Sequence, residues 1–172
     1  MTIRFGILTL SDRSSRGERP DSSGPALVRL IEAETPRSDS GQVWSVAKQA
    51  LLPDNESAIR AILSEWADSG EMDVILTTGG TGFSPRDVTP EATRAVIERE
   101  APGLAEAMRA ASLKITPHAM LSRIVTGIRK RTLIVNLPGS PKGAVENLQV
   151  ILPVLAHAVQ LLQEDPASEV SH

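Results

Sequence analysis

The sequence contains no cysteine, and aromatic residues make up only 2% of the chain. The lack of cysteine excludes disulfides, cysteine-ligated zinc, iron–sulfur clusters and thiol catalysis. The scarcity of aromatic rings leaves almost no stacking platforms for bases or sugars. Long apolar runs are missing too, since none approaches the ~20 residues of a membrane helix. We therefore expect a protein with no membrane segment.

Excess basic charge is also absent, because the formal net charge is −3. This argues weakly against a nucleic-acid partner, which usually requires a basic face. The first ten residues are too short for a signal peptide and lack its cleavage pattern, so we expect a cytoplasmic location. The 172 residues, 41% of them apolar, suffice for one sizeable core. We predict one domain over 1–163 and a polar, disordered tail over 164–172.

Apolar runs alternate with segments of helical periodicity along the chain. Strands are predicted at 3–10, 43–47, 73–78 and 132–137. Helices are predicted at 24–34, 54–68, 89–100, 104–113 and 144–162, with a short helix or turn at 120–128. The connections between strands are long enough for right-handed βαβ units. The pattern therefore predicts an α/β fold of three layers, with a mostly parallel sheet between two layers of helices.

The segment 77–90, TTGGTGFSPRDVTP, follows the third predicted strand. It places Gly79, Gly80 and Gly82 within four positions and continues through Asp87 into a helix. A strand, a glycine loop, an acid and a helix in this order are typical of anion or nucleotide sites in α/β proteins. The loop matches neither the Walker A motif nor the dinucleotide fingerprint. The glycines alone are equally consistent with a ligand cradle and with a structural turn.

Polar segments follow four of the predicted strands. They cover residues 11–13, 54–56, 79–87 and 139–142. Because the carboxyl ends of parallel strands lie at one edge of the sheet, we expect these segments to meet there. The sequence thus predicts a site with glycine-loop amides, a serine, a lysine and two carboxylates.

Asp54 and Asp87 each have a purely structural interpretation as well as a functional one. Asp54 opens a predicted helix just before its apolar-periodic residues, where it could be the N-cap, and Asp87 could orient its loop or supplement the cap at Thr89. Two carboxylates beside a phosphate-sized cradle would instead indicate a divalent cation, most often Mg²⁺. The three histidines have no metal-ligand spacing. The basic run 129–131 is read as a solvated turn, with contact to an anion or a neighbouring subunit as the alternative.

Two motifs, TTGGTGFSPRDVTPEAT at 77–93 and NLPGSPKG at 136–143, resemble the molybdopterin adenylyltransferase family. This family comprises the MogA-like bacterial proteins and the G domain of gephyrin. Further matches are LTLSDR at 8–13, DSSGPALV at 21–28, LLPDN at 51–55 and LSRIVTGIRKRTLIVNLPG at 121–139. The resemblance extends from the first strand to about residue 162. One departure is the segment 34–42, which is longer and more polar than the usual bacterial pattern.

The resemblance implies a MogA/MoaB-like α/β fold and a homotrimer. It also implies that the terminal phosphate of molybdopterin attacks the α-phosphate of ATP with the help of Mg²⁺. The products would be adenylylated molybdopterin, used by a separate molybdenum-insertion protein, and pyrophosphate. Asp87 and Asp54 would be the catalytic residues and the Mg²⁺ ligands. The residues implied for pterin and nucleotide binding are Ser11, Asp12, Thr78, Gly79, Gly80, Thr81, Gly82, Pro138, Gly139, Ser140 and Lys142.

Two other functions remain open from the sequence. Similar domains occur as non-catalytic molybdopterin-binding or scaffold modules, which would not need both Asp54 and Asp87. A general Mg-nucleotide phosphohydrolase is disfavoured by the lack of a Walker loop.

Overall fold

The computed structural model describes residues 1–34 and 42–164. The predictions made for the polar segment 34–42 and for the tail 164–172 fall almost wholly outside these ranges. The strands are β1 (Thr2–Leu10), β2 (Val43–Leu52), β3 (Val74–Thr78), β4 (Arg99–Glu100), β5 (Thr126–Arg129) and β6 (Thr132–Leu137). The helices are α1 (Asp12–Ser15), α2 (Ser23–Glu34), α3 (Glu56–Ser69), α4 (Thr89–Val96), α5 (Pro102–Leu113), α6 (Pro141–Leu162) and a 3₁₀ helix, Pro117–Leu121.

The strands form one mixed sheet in the order β2-β1-β3-β6-β5-β4. The pairs β1–β2, β1–β3 and β3–β6 are parallel, whereas β5 is antiparallel to both of its neighbours. The turn from β5 to β6 is too short for a crossover, so the two strands must form a hairpin. Lys130 in this turn has a φ of 52°, as tight hairpin turns require. The prediction of a mostly parallel sheet is confirmed.

Helices cover both faces of the sheet. On one face α2, α5 and α6 contribute Ile31, Met108 and Leu148 to a core cluster that also includes Ile7. On the other face α3 and α4 enclose a second cluster that includes Leu8. The side chains of neighbouring β1 residues thus pack into opposite layers, as the two-residue period of a strand dictates. The three-layer arrangement predicted from the sequence is confirmed.

Several predicted boundaries are wrong. The segment predicted as a helix or turn at 120–128 contains the start of β5, and the helix predicted at 89–100 ends at Val96 before β4. Both short strands depend on pairing across the sheet, which a local pattern does not reveal. The strand predicted at 43–47 extends to Leu52 as β2, and the short helix α1 was not predicted.

Helix α6 begins at Pro141, three residues before the start predicted from the sequence. It continues through Pro153 as one helix, and by length and composition alone it could cross a membrane. This criterion is weak because core helices of soluble proteins also meet it. In this fold Leu148, Ile151 and Leu155 of α6 are buried against the sheet. The helix therefore serves as part of the core.

Candidate functional site

The four polar segments that follow β1, β2, β3 and β6 meet at the carboxyl edge of the sheet, as predicted. They enclose a cavity of about 780 Å³, which we call the polar cavity. The site residues named from the sequence that line it are Ser11, Asp12, Asp54, Thr78, Gly79, Gly80, Asp87, Gly139 and Ser140.

A second pocket of about 430 Å³, the smaller pocket, shares Ser140 with the polar cavity and uses the other half of the glycine loop. Its residues named from the sequence are Thr81, Gly82, Pro138, Ser140 and Lys142. Its further walls include Arg109, Ser112, Ser122 and Asn147, which the sequence analysis did not single out. Every site residue named from the sequence thus lines one of two adjoining spaces, and their individual roles remain predictions.

Neighbouring atoms lie too close to positions 79 and 80 for any residue other than glycine. A Cβ atom at Gly79, whose φ is 106°, would lie 2.2 Å from the carbonyl oxygen of Leu10. A Cβ atom at Gly80, whose φ is 63°, would lie 2.4 Å from Thr89 Oγ1 and 2.8 Å from Asp54 Oδ1. Thr89 in turn donates from Oγ1 to the Gly79 carbonyl at 2.9 Å and from its N–H to the Gly80 carbonyl at 3.1 Å. The glycines allow the loop to pack directly against a site carboxylate.

Asp54 is not the N-cap of α3. That position belongs to Asn55, whose side chain accepts the N–H of Ala58 at 2.9 Å. Asp54 Oδ2 accepts the N–H of Asp12, and the N–H of Asp54 donates to Asp12 Oδ1, both at 3.0 Å. Asp54 Oδ1 is buried and has no hydrogen-bond partner among the described residues. The capping interpretation is therefore wrong, and one carboxylate oxygen remains to be satisfied by something else.

The surroundings of Asp54 disfavour its charge. Burial raises the pKa of this carboxyl above its ordinary value of 3.8, and the charges of Asp12 and Asp87 add to the increase, whereas the hydrogen bond from Asp12 opposes it. A cation beside Asp54 Oδ1 would remove this penalty.

Arg86 spans the polar cavity from the glycine loop to α1. Its Nε donates to Asp12 Oδ2 at 2.9 Å and its Nη2 to Asp12 Oδ1 at 3.0 Å. Desolvation acts to raise the pKa of Asp12, but the bonds from Arg86 and from the Asp54 backbone outweigh it and lower that pKa. Arg86 was not among the site residues predicted from the sequence. The available signal was an arginine adjoining Asp87 in a loop expected to bind phosphate.

Asp87 is folded back over its own loop. Its Oδ2 accepts the N–H of Ser84 at 3.0 Å, while its N–H donates to the Ser84 carbonyl at 2.9 Å. The N-cap of α4 is Val88, and no side chain caps this helix. Of the two structural interpretations, orienting the loop is supported and supplementing the helix cap is not.

The loop before α6 is tied to the glycine loop and to α2. Thr78 Oγ1 donates to the Pro138 carbonyl at 2.7 Å, and Ser23 Oγ donates to the Gly139 carbonyl at 2.6 Å. Ser140 is the N-cap of α6 and accepts the N–H of Gly143 at 3.1 Å. The N-terminus of this long helix therefore lies at the junction of the two spaces, where its dipole favours an anion.

The carboxylates of the polar cavity do not form a complete metal cage. Among residues 1–34 and 42–164, no three histidine, cysteine or acidic side chains come together as metal ligands. Mg²⁺ is commonly held by one or two carboxylates, with phosphate oxygens and water completing its shell. The unpartnered oxygen of Asp54, with Asp87 nearby, fits such a site.

The basic run 129–131 lies at the opposite edge of the sheet, before β6. Arg129 forms two hydrogen bonds with Asp68, and Arg131 pairs with Glu164 at 3.2 Å. Hydrogen bonds from Arg129 and Lys130 lower the pKa of Asp68 to about 2. These pairings support the interpretation as a solvated turn.

The architecture and the paired spaces define an α/β protein built to bind an anionic ligand at the carboxyl edge of its sheet. Residues 6–157 match the family model described as "Probable molybdopterin binding domain". The chain belongs to this family, which confirms the resemblance seen in its motifs.

Curated relatives of two kinds match the chain. Molybdopterin adenylyltransferase of Helicobacter pylori (strain J99) is 39% identical over 161 residues, covering 94% of this chain and 88% of the relative. The enzyme of that name from Escherichia coli K12 is 44% identical over 86% of this chain and 73% of its own length. Gephyrin of Dictyostelium discoideum is 44% identical over 96% of this chain. The chain spans only 23% of that protein and 26% of the similar Drosophila melanogaster protein cinnamon.

Solved structures agree with this grouping. The molybdopterin biosynthesis enzyme MoaB of Thermus thermophilus is 52% identical, with a TM-score of 0.85 over 95% of this chain and 98% of that one. The Mog protein of Mycobacterium ulcerans is 34% identical, with a TM-score of 0.81 over 96% and 99% of the two chains.

Proposed function

We propose that this chain is a molybdopterin adenylyltransferase. The observation that carries the proposal is the buried, unpartnered Oδ1 of Asp54, a residue that lines the polar cavity together with Asp12 and Asp87. In the reaction, an oxygen of the terminal phosphate of molybdopterin forms a bond to the α-phosphorus of ATP. The bond between that phosphorus and the bridging oxygen to the β-phosphate breaks, and pyrophosphate leaves with the electron pair.

The two adjoining spaces suit the two substrates. The polar cavity, about 780 Å³ and lined by charged groups, takes ATP, and the smaller pocket of about 430 Å³ takes the pterin. The two reacting phosphates then meet at Ser140, which lines both spaces at the N-terminus of α6. Holding both substrates in this way supplies proximity and orientation, which are the main requirements of nucleotidyl transfer.

Asp54 and Asp87 would hold Mg²⁺ in the polar cavity. The ion would neutralise the triphosphate and stabilise the departing pyrophosphate. The attacking phosphate is already a nucleophile, so no side chain needs to act as a strong base. The remaining task of the protein is to cradle phosphate oxygens, which falls to the amides of residues 79–82 and to the N-terminus of α6.

The direct test incubates the protein with molybdopterin and Mg-ATP and measures pyrophosphate. The expected result is pyrophosphate and adenylylated molybdopterin in equal amounts, with none formed when either substrate is omitted. Tight pterin binding without pyrophosphate would indicate the binding or scaffold module instead. ATP hydrolysis in the absence of molybdopterin would indicate a phosphohydrolase.

The proposed enzyme works as a cytoplasmic homotrimer and passes its product to a separate molybdenum-insertion protein. The support is the family resemblance, together with apolar side chains exposed around the smaller pocket, among them Ile115 at 61% and Leu121 at 46%. Sedimentation of the purified protein tests the trimer, and a monomer at working concentration would contradict it.

A further inference from the structure

Arg123, in the segment between the 3₁₀ helix and β5, joins the two ends of the loop that carries Asp87. Its Nε donates to the Gly82 carbonyl and its Nη2 to the Asp87 carbonyl, each at 2.7 Å. Its own N–H donates to the Thr81 carbonyl at 2.9 Å. One planar guanidinium thus sets the separation between the first and last residues of the segment 82–87.

Apart from Arg123, the side-chain anchor of this segment is Arg86, which binds Asp12 of α1 on the other side. The side chains of residues 83–86 are all exposed, and Phe83 is 68% exposed despite being apolar. Within the segment, the Ser84–Asp87 turn holds the carboxylate relative to the loop, but it does not hold the loop relative to the rest of the protein. On the side of α5 and the 3₁₀ helix, the segment is held by Arg123.

Arg123 is itself held by Glu91 in the first turn of α4. The two side chains form a close ion pair, and a second oxygen of Glu91 lies 3.5 Å from Nη2. Although partial burial acts to raise the pKa of Glu91, the bond from Arg123 lowers it, so the pair is charged at neutral pH. A charge-assisted pair of this kind orients the guanidinium toward both carbonyls.

We infer that Arg123 is a positioning residue, which holds the Asp87 carboxylate in its reacting position through the backbone of the segment 82–87. The inference rests on the proposed adenylyl transfer. Ser122, the residue before Arg123, lines the smaller pocket. The same short segment therefore contacts the proposed pterin site and holds the loop of the polar cavity. Arg123 therefore sets the position of the acid relative to the second substrate.

The test compares Arg123→Met and Arg123→Lys with the wild type. Arg123→Met is expected to lower kcat about 10- to 100-fold, as loss of a supporting contact usually does, with the KM for molybdopterin unchanged. Arg123→Lys should rescue little of this loss, because one ammonium cannot bridge both carbonyls. Glu91→Gln, which keeps both carbonyl bonds, should show a smaller loss than Arg123→Met.

A double-mutant cycle separates positioning from a merely structural role. If Arg123 acts through Asp87, adding Arg123→Met to an Asp87→Asn protein should cause no further loss of turnover. Loss by the same factor in both backgrounds would overturn the inference, as would wild-type kcat in Arg123→Met.

Hydrogen exchange supplies a readout that does not depend on turnover. Peptides covering 82–88 should exchange faster in Arg123→Met than in the wild type. The matched control is Arg129→Met, which removes a similarly exposed arginine and its ion pair with Asp68 at the other edge of the sheet. The control should keep wild-type turnover and loop exchange, and unchanged loop exchange in Arg123→Met would contradict the inference. If the wild type itself released no pyrophosphate, the proposed function would fail while the exchange result would still stand.

Discussion

Carboxylates lie at both edges of the sheet, but they differ in whether their oxygens have hydrogen-bond partners. At the amino edge, Arg4 binds Asp73 through two nitrogens, Gln163 donates to the same carboxylate, and Arg129 is paired with Asp68. At the carboxyl edge, a buried oxygen of Asp54 has no partner among the described residues. Charge alone therefore does not mark the site. The distinguishing feature is a polar group buried at a cavity and left unsatisfied, a state that binding can relieve.

The largest expected effect is that of Asp87→Ala. Removing this carboxylate should lower kcat for adenylyl transfer by about 10²–10³-fold, because charge stabilisation at the transferring phosphate is lost. The protein should still fold and bind molybdopterin, since the smaller pocket does not include Asp87. Pyrophosphate release together with pterin binding checks this, and turnover near the wild-type rate would show that Asp87 has another role.

Asp54→Asn should separate activity from stability. Turnover should fall about 10- to 100-fold with the loss of a metal ligand. The ligand-free protein should nevertheless melt at a higher temperature at neutral pH, by no more than about 2–4 °C, because a partly buried charge is removed.

The difference in melting temperature between Asp54→Asn and the wild type should depend on pH. The pKa of Asp54 is raised in the folded state, so the folded wild type loses stability as the pH rises from 3.8 through that raised pKa. The difference in melting temperature should therefore shrink toward acidic pH. Mg-ATP should stabilise the wild type more than the variant. A variant that melts lower than the wild type at neutral pH would contradict the assignment.

The sequence alone predicted the parts of the site that directly follow single strands. Each polar segment follows a strand that is recognisable in the sequence, and a parallel sheet brings such segments together without further information. The role of Asp54 was not accessible in this way. Asp54 and Asn55 are both good capping residues, and only the backbone conformation of Asn55 decides between them.

The unpredicted parts depend on contacts between distant segments. Arg123 reaches residues 36 and 41 positions away, and Arg86 reaches Asp12 across 74 positions. Strand β5 is likewise short and forms only by pairing with β6 and β4. The division of the glycine loop between two spaces was also not predictable, because it depends on the close approach of Gly79 to Gly139, 60 positions away.

A pair of glycine variants tests whether the carboxyl edge depends on close packing. In Gly79→Ala the new Cβ would clash with the Leu10 backbone at a positive φ, so we expect a loss of about 1–3 kcal/mol in unfolding free energy. Gly103→Ala, in α5, meets nothing within 4 Å and should be neutral or stabilising by up to ~1 kcal/mol. Denaturant melts of both proteins measure the difference, and equal stability would show that the loop can move away from β1.

The smallest effect is expected at the amino edge. Asp68→Asn removes an exposed carboxylate whose pKa is lowered to about 2 by Arg129 and Lys130. Because the folded pKa is depressed, the wild type has its advantage above the ordinary pKa of 3.8 and loses it as the pH falls toward 2. The melting temperature of the variant at neutral pH should lie within about 2–4 °C of the wild type, and high salt should reduce the gap. Turnover should be unchanged, because Asp68 and its partners Arg129 and Lys130 lie at the edge of the sheet opposite to both proposed substrate sites. A large loss of turnover in this variant would mean that the two edges are coupled.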